Sequence, residues 1–256
     1  MPKPLIKSAI AIGLVAASVY FVWSRQQPNA VMLSHPTIKT VQVQELPFSL
    51  DIFETVFWEP ADTDSLRELI SESPELVHNK HILEIGTGSG LISLCCKQYG
   101  AETVTATDIN PTAVACAQTN AKHAGLAIDV RLVNKQTPSA YSAVTNEKFD
   151  LIVSNPPWED GKPTADQDYA LYDPSFQLLT SIVAEAHEHL RPGGKILLAY
   201  GCVDAIRNVY DLADEHGYEV ILFDERDFES CPPVFLPGML LGLTPRSKSP
   251  TAQKQP

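Results

Sequence analysis

From about residue 80 onward the apolar positions fall into short runs that alternate with longer amphipathic stretches. His81 to Ile85 is an apolar run ending in glycines and predicts a buried strand, while Leu91 to Gln98 carries helical spacing. Thr103 to Thr107 is β-branched and predicts a second strand. Pro111 then stands where proline is favoured, in the first turn of a helix running to about His123. Ile128 to Val133 and Phe149 to Ser154 predict two more strands, the second stopped by a pair of prolines. An amphipathic helix over Phe176 to Leu190 is closed by Pro192-Gly193-Gly194. A strand over Lys195 to Tyr200, a helix over Val203 to His216 and a strand over Glu219 to Phe223 follow. Val234 to Leu243 is a last strand, broken by Pro237-Gly238. Strands alternating with helices predict a parallel, doubly wound α/β sheet. Such sheets hold ligands at the carboxyl ends of their strands, so chemistry is expected just after each one.

The N-terminal stretch has a different pattern. Ser8 to Trp23 is an uncharged run of about 16 residues, near the lower limit for crossing a bilayer core. Lys3 and Lys7 precede it, Arg25 follows, and Tyr20, Phe21 and Trp23 cluster at one end as in an aromatic belt. A membrane anchor is the first reading, with residues 5–23 meeting the bilayer. The small residues Ala16, Ala17 and Ser18 also allow a cleaved signal peptide. The expected organisation is an anchor and linker over residues 1–36, one folded domain over 37–244, and a disordered tail over 245–256.

Composition narrows the partners. The 256 residues carry a net charge of -12, which disfavours unaided binding of long nucleic acid without forbidding a local basic pocket. Five cysteines, none in a CxxC pair, read as buried thiols of a reducing compartment. Neither they nor the seven histidines show metal-ligand spacing, so no metal site is expected.

Two loops carry candidate chemistry. The first strand runs into Glu84-Ile85-Gly86-Thr87-Gly88-Ser89-Gly90, where glycines let the backbone turn sharply and approach a ligand. The spacing is neither the dinucleotide pattern nor a phosphate loop. The second strand ends in Asp108-Ile109-Asn110, which puts an acid about 20 residues after the glycines, where it can accept from ribose hydroxyls. Asp108 can equally cap the helix that Pro111 opens. Loop and acid together point to an adenosine-type cofactor, without separating a nicotinamide dinucleotide from S-adenosyl-L-methionine.

The fourth strand ends in Asn155-Pro156-Pro157-Trp158. LEIGTGSG, TDIN and NPPW, in this order and each at a strand end, resemble the amino-methyltransferases of the class I S-adenosylmethionine-dependent fold, in particular the HemK-like release-factor glutamine methyltransferases. The resemblance covers residues 50 to 243. It implies a Rossmann-like, mostly parallel seven-stranded sheet with an antiparallel last strand. It also implies methyl transfer from S-adenosyl-L-methionine to nitrogen on a planar group: a glutamine amide, or an exocyclic amine of a nucleic-acid base. By that likeness Glu84, Gly86, Thr87, Gly88, Gly90, Asp108, Ile109 and Asn155 hold the cofactor. Asn134, after the third strand, stands in for an acid that often meets the adenine amino group.

The chemistry agrees with the likeness. The lone pair of an amide nitrogen is delocalised. An acceptor at Asn155 Oδ1 and a carbonyl near Pro156, held by the rigid prolines, would orient its N–H bonds. Trp158 is expected to offer a flat face, where the family more often has Tyr or Phe. Upstream, Val56 to Asp64 resembles the segment bordering the active site in these enzymes, so Glu59 and Thr63 are expected to line the acceptor pocket; Asp62 or Thr63 as a helix cap is the equal alternative. The segment Asp166 to Pro174 departs from the release-factor enzymes. The acidic balance favours a protein substrate; a nucleic-acid base and a non-catalytic cofactor-binding scaffold remain alternatives. The positive-inside bias of Lys3 and Lys7 argues against a cytoplasmic domain, whereas a cytosolic methyl donor argues for one. The expectation is a single-pass membrane protein with its catalytic domain in the cytoplasm.

Overall fold

The computed structural model describes residues 35–246. The chain opens with an antiparallel hairpin of β1 (Thr37–Val41) and β2 (Leu50–Phe53). A 3-10 turn, Pro60–Thr63, leads into helix α1 (Asp64–Glu72). Strands β3 (His81–Ile85), β4 (Thr103–Asp108), β5 (Asp129–Leu132) and β6 (Phe149–Ser154) then alternate with α2 (Leu91–Gln98) and α3 (Pro111–Ala124). Helix α4 (Gln177–His189), β7 (Leu190–Cys202), α5 (Val203–Glu215), β8 (Tyr218–Leu222) and β9 (Val234–Pro245) complete the chain. The seven-stranded sheet has the order β5-β4-β3-β6-β7-β9-β8. Strands β3 to β7 pair in parallel, and β9 runs antiparallel to both β7 and β8.

Two cores lie on the two faces of the sheet, and the strand period of two sorts residues between them. Leu83, Ile152, Leu198 and Leu241 bury with α4 and α5 on one face. Their chain neighbours Ile82, Leu151, Leu197 and Leu240 bury with Leu66, Ile70 and Ile92 of α1 and α2 on the other. Central strands with both faces covered read as continuous apolar runs, which is why they were visible in the sequence.

Where prolines and glycines predicted breaks, the strands continue through irregular pairing. Phe149 pairs with Leu190, but Leu151 pairs with Lys195, so Pro192-Gly193-Gly194 is absorbed as a bulge of β7. Tyr200 pairs with Met239 and Cys202 with Val234, so Phe235 to Gly238 bow out of β9. The hairpin was not predicted, because β1 is almost wholly exposed and lacks an apolar pattern. It is held from a distance: Asn120 of α3 accepts from Asp51 N (2.8 Å) and donates to the carbonyls of Asp51 and Ser89 (both 2.9 Å).

The membrane expectation is corrected. No described helix is long and apolar enough to cross a membrane; the longest has 14 residues, where a span needs about 20. The segment Ser8 to Trp23 that prompted the expectation lies outside the described residues.

One buried cation organises the entrance to α1. Arg67 is 3 % exposed, pairs with Glu45 and Asp64, and donates to the Pro60 carbonyl (3.0 Å). Removing one member of a buried ion pair leaves the other uncompensated, so Arg67→Ala should cost about 3–5 kcal/mol of stability in urea unfolding.

Candidate active site

The loops at the carboxyl ends of β3, β4 and β6 enclose a cavity of about 440 Å³, within the range of roughly 300–1,000 Å³ usual for small-molecule sites. Its floor is the turn after β3. Gly86 and Gly88 adopt φ of +77° and +56°, and the space where a side chain would stand is open at both. The Gly86 and Thr87 amides donate to the Thr107 carbonyl (2.9 and 3.0 Å), which joins the loop to the end of β4. Gly90 does not face the cavity. It sits against Ala117 of α3, and its missing side chain permits that close approach.

Two carboxylates are set into this floor. Glu84 is 1 % exposed, and its Oε2 accepts from Thr87 Oγ1 (2.6 Å), Ser93 N (3.0 Å) and Ser93 Oγ. Oε1 takes no hydrogen bond from the described residues, and Glu84 lines the cavity. Burial raises its pKa to about 7, against the lowering effect of those donors. Asp108 accepts from Gly88 N and Asn110 N (both 2.8 Å), and burial pushes its pKa up as well. The helix cap is its neighbour: Asn110 Oδ1 accepts from Thr112 N (2.9 Å), while Asn110 Nδ2 reaches the Thr55 carbonyl (3.2 Å). Asp108 therefore shapes the glycine turn and does not cap α3.

The remaining walls come from three segments. Thr55 to Pro60 and Thr63 form one side, and Asn155 and Pro157 form another. The third runs from Lys162 to Leu178 and contributes Lys162, Asp166, Tyr169, Tyr172 and Asp173. Asp173 anchors that segment by accepting from the amides of Leu178 (2.9 Å) and Leu179 (3.0 Å) at the start of α4. Nothing in its sequence marked it as a wall, because its apolar and aromatic residues follow no period. The lining acids are Glu59, Glu84, Asp108, Asp166 and Asp173, and Lys162 is the only basic lining residue among those described.

The structure brings together most of the residues singled out from sequence. Glu59, Thr63, Glu84, Gly86, Thr87, Gly88, Asp108, Ile109, Asn155 and Pro157 all line this cavity. Glu59 is exposed at its edge and Thr63 is buried; neither Asp62 nor Thr63 makes a side-chain cap at α1. Pro156 is buried beside the cavity without lining it. Asn134 lies in a separate shallow groove that shares Ile109 and Val133 with the cavity. Its Oδ1 accepts from Gln136 N (2.9 Å) in a local turn.

Trp158 is also placed differently from its expected stacking position. Its ring packs on Gly201, where a Cβ would collide with it, and close to Gly238, where a Cβ would crowd it; Trp158 is absent from the cavity wall. Its indole Nε1 donates to Asn155 Oδ1 (3.0 Å). Asp62, 4 % exposed, lies beside the Asn155 side chain, whose amide favours the ionised carboxylate. Burial raises the Asp62 pKa to about 7, and Glu59 and Asp64 add to the rise. In the sequence Asp62 stands as a possible helix cap, a role its side chain does not take in the fold. No described cysteine lines the cavity, and burial pushes the Cys95 thiol up to about 12 and Cys116 to about 11.

Comparison with known proteins agrees with this geometry. The sequence pattern of the methyltransferase small domain family matches residues 58–220. A release factor glutamine methyltransferase of Shewanella oneidensis is 34% identical over 196 residues, 72% of this chain and 65% of that protein. A putative protein N5-glutamine methyltransferase of Methanocaldococcus jannaschii is 31% identical over 169 residues, 64% of this chain and 81% of that protein. The chain spans 50% to 65% of the length of the first release factor glutamine methyltransferases it matches. The fold is shared with a T. thermophilus 16S rRNA N2 G1207 methyltransferase solved in complex with AdoMet and guanosine. That structure has a TM-score of 0.60 and 20% identity, over 81% of this chain and 50% of that one. With a family pattern covering well over half of its length and lying across the cavity-forming loops, the chain belongs to the methyltransferase small domain family.

Proposed function

We propose that this chain transfers a methyl group from S-adenosyl-L-methionine to the side-chain amide nitrogen of a protein glutamine. The observation that carries the reading is the position of Asn155, which lines the same cavity as Glu84, Asp108 and the Gly86–Gly88 turn. Donor-type and acceptor-type groups thus share one enclosed space. Gly86 and Gly88 leave the floor open for close approach, and the two carboxylates suit a cation. When bound there, S-adenosyl-L-methionine supplies a methyl group activated by a positively charged sulfur. Asp108 would accept from its ribose hydroxyls, and Glu84, whose Oε1 takes no hydrogen bond from the described residues, would hold its ammonium. On the acceptor side, Asn155 Oδ1 would accept an N–H of the amide and so orient its nitrogen for methylation. A cavity lined by five acids and one lysine suits a neutral amide and disfavours a phosphate-bearing acceptor. The glutamine methyltransferases among the relatives support the choice of amide.

Three outcomes are expected. Asp108→Ala should weaken S-adenosylhomocysteine binding, read by titration calorimetry, by roughly ten- to a hundredfold through loss of charge-assisted bonds. An effect under threefold would leave Asp108 a purely structural acid. Asn155→Ala should slow single-turnover methyl transfer into total cell protein by about 10²–10³ while cofactor affinity stays within a few-fold. The third outcome concerns pH. Pairing with an ammonium favours the ionised form of Glu84, whose carboxyl in the free protein titrates at about 7. Cofactor affinity should therefore fall as pH drops below that value and level off above it, and Glu84→Gln should flatten the profile.

A further inference from the structure

Two residues that the proposed reaction does not use meet the Asn155 side chain: Trp158 through a hydrogen bond, and Asp62 as a neighbouring carboxylate. Trp158 Nε1 points at Asn155 Oδ1 (3.0 Å) and lies 3.3 Å from the Ala199 carbonyl. An indole N–H only donates, so the atom facing it must be the amide oxygen. The amide nitrogen is left facing Asp62, whose carboxylate only accepts when ionised. One lone pair of Oδ1 takes the indole, and the other is left for the cavity that Asn155 lines.

Both holding groups are themselves fixed by packing. The Trp158 ring lies on Gly201 of β7, where a Cβ would push it away, and close to Gly238 of β9, where a Cβ would crowd it. Gly238 belongs to the stretch that bows out of β9, and it also lies against the Asp62 backbone carbonyl. The Gly238 carbonyl accepts from Ser65 Oγ of α1 at 3.3 Å. The same bow therefore seats the indole and the turn that carries Asp62. On the far side, Arg67 fixes that turn through the Pro60 carbonyl and Asp64.

We propose that Asp62 and Trp158 are positioning residues that lock the Asn155 amide in one orientation and polarise its oxygen toward the acceptor. Without them an asparagine amide can rotate by half a turn and present an N–H where the acceptor amide needs a lone pair. An ionised Asp62 draws on the Nδ2–H bonds and thereby raises the electron density on Oδ1. The indole keeps that oxygen in place. A tyrosine or phenylalanine at position 158 has no indole N–H at that point, so this lock depends on tryptophan. The role given to Oδ1 rests on the proposed methyl transfer, but the lock itself does not.

The charged groups bearing on Asp62 are Glu59 and Asp64 from its own turn, with Arg67 of α1 behind them. Strands β7 and β9 present Tyr200, Gly201, Gly238 and Met239 at this point, none of them charged near neutral pH.

The test has two arms on the full chain. In ¹⁵N-labelled protein the indole resonance of Trp158, assigned by its loss in Trp158→Phe, should titrate near neutral pH. It should stop doing so in Asp62→Asn and shift in Asn155→Ala. A Trp158 indole resonance indifferent to both variants would overturn the lock. In single-turnover transfer from radiolabelled S-adenosylmethionine into total cell protein, Asp62→Asn and Trp158→Phe should each slow the reaction roughly ten- to a hundredfold. Affinity for S-adenosylhomocysteine should stay within threefold. Adding Asp62→Asn to Asn155→Ala should produce no further loss; an equal loss in both backgrounds would mean that Asp62 acts without Asn155, contrary to the proposal. If the unaltered chain labels no protein, the glutamine reading fails, and the indole resonance alone decides the lock.

Discussion

The architecture depends on keeping a carboxylate ionisable at the end of the central strand. Desolvating such a group costs several kcal/mol unless donors replace the lost water. For Glu84 the chain supplies them from the next nine residues: Thr87 Oγ1, then Ser93 through both its amide and its hydroxyl. Those bonds require the chain to curl back at once after β3, and that sharp reversal is what calls for glycines at 86 and 88. Asp108 repeats the arrangement one strand over, with the Gly88 and Asn110 amides. The two acids thus set the shape of the floor on which they stand, and their charge makes that floor attractive to a cation.

The donor side of the cavity was legible because its parts are local in sequence. Strand, glycine turn and acid recur within about 25 residues, each with a reason to be near a strand end. The acceptor side was only half legible. Asn155 and Pro157 announced themselves by following a buried strand. Asp62, Arg67 and the partners of Trp158 did not, since their roles come from contacts across the fold. Arg67 meets Glu45 from a loop 22 residues away, and Trp158 meets glycines from two other strands. A flat aromatic after Pro-Pro suggests a stacking platform; only the packing reveals that Gly201 and Gly238 have claimed its face. Asn134 stands in a neighbouring groove, with its oxygen accepting from Gln136 N in its own turn.

The strand boundaries carry a similar lesson. Pro192-Gly193-Gly194 and Pro237-Gly238 look like stops, yet β7 and β9 run past both by letting a few residues bow out of the ladder. In β9 that bow reaches the site: it brings Gly238 against Trp158 and the Asp62 carbonyl. A feature that reads as a break in the sequence serves in the fold to join the last strand to Trp158 and the turn that carries Asp62.

The central claim is that a protein glutamine receives the methyl group. The most direct measurement incubates the full chain with radiolabelled S-adenosylmethionine and unfractionated cell extract, separates protein, RNA and small molecules, and identifies the labelled amino acid after complete proteolysis. The account predicts label in protein, recovered as glutamine methylated on its side-chain nitrogen. Label confined to RNA, or recovered on another amino acid, would contradict it.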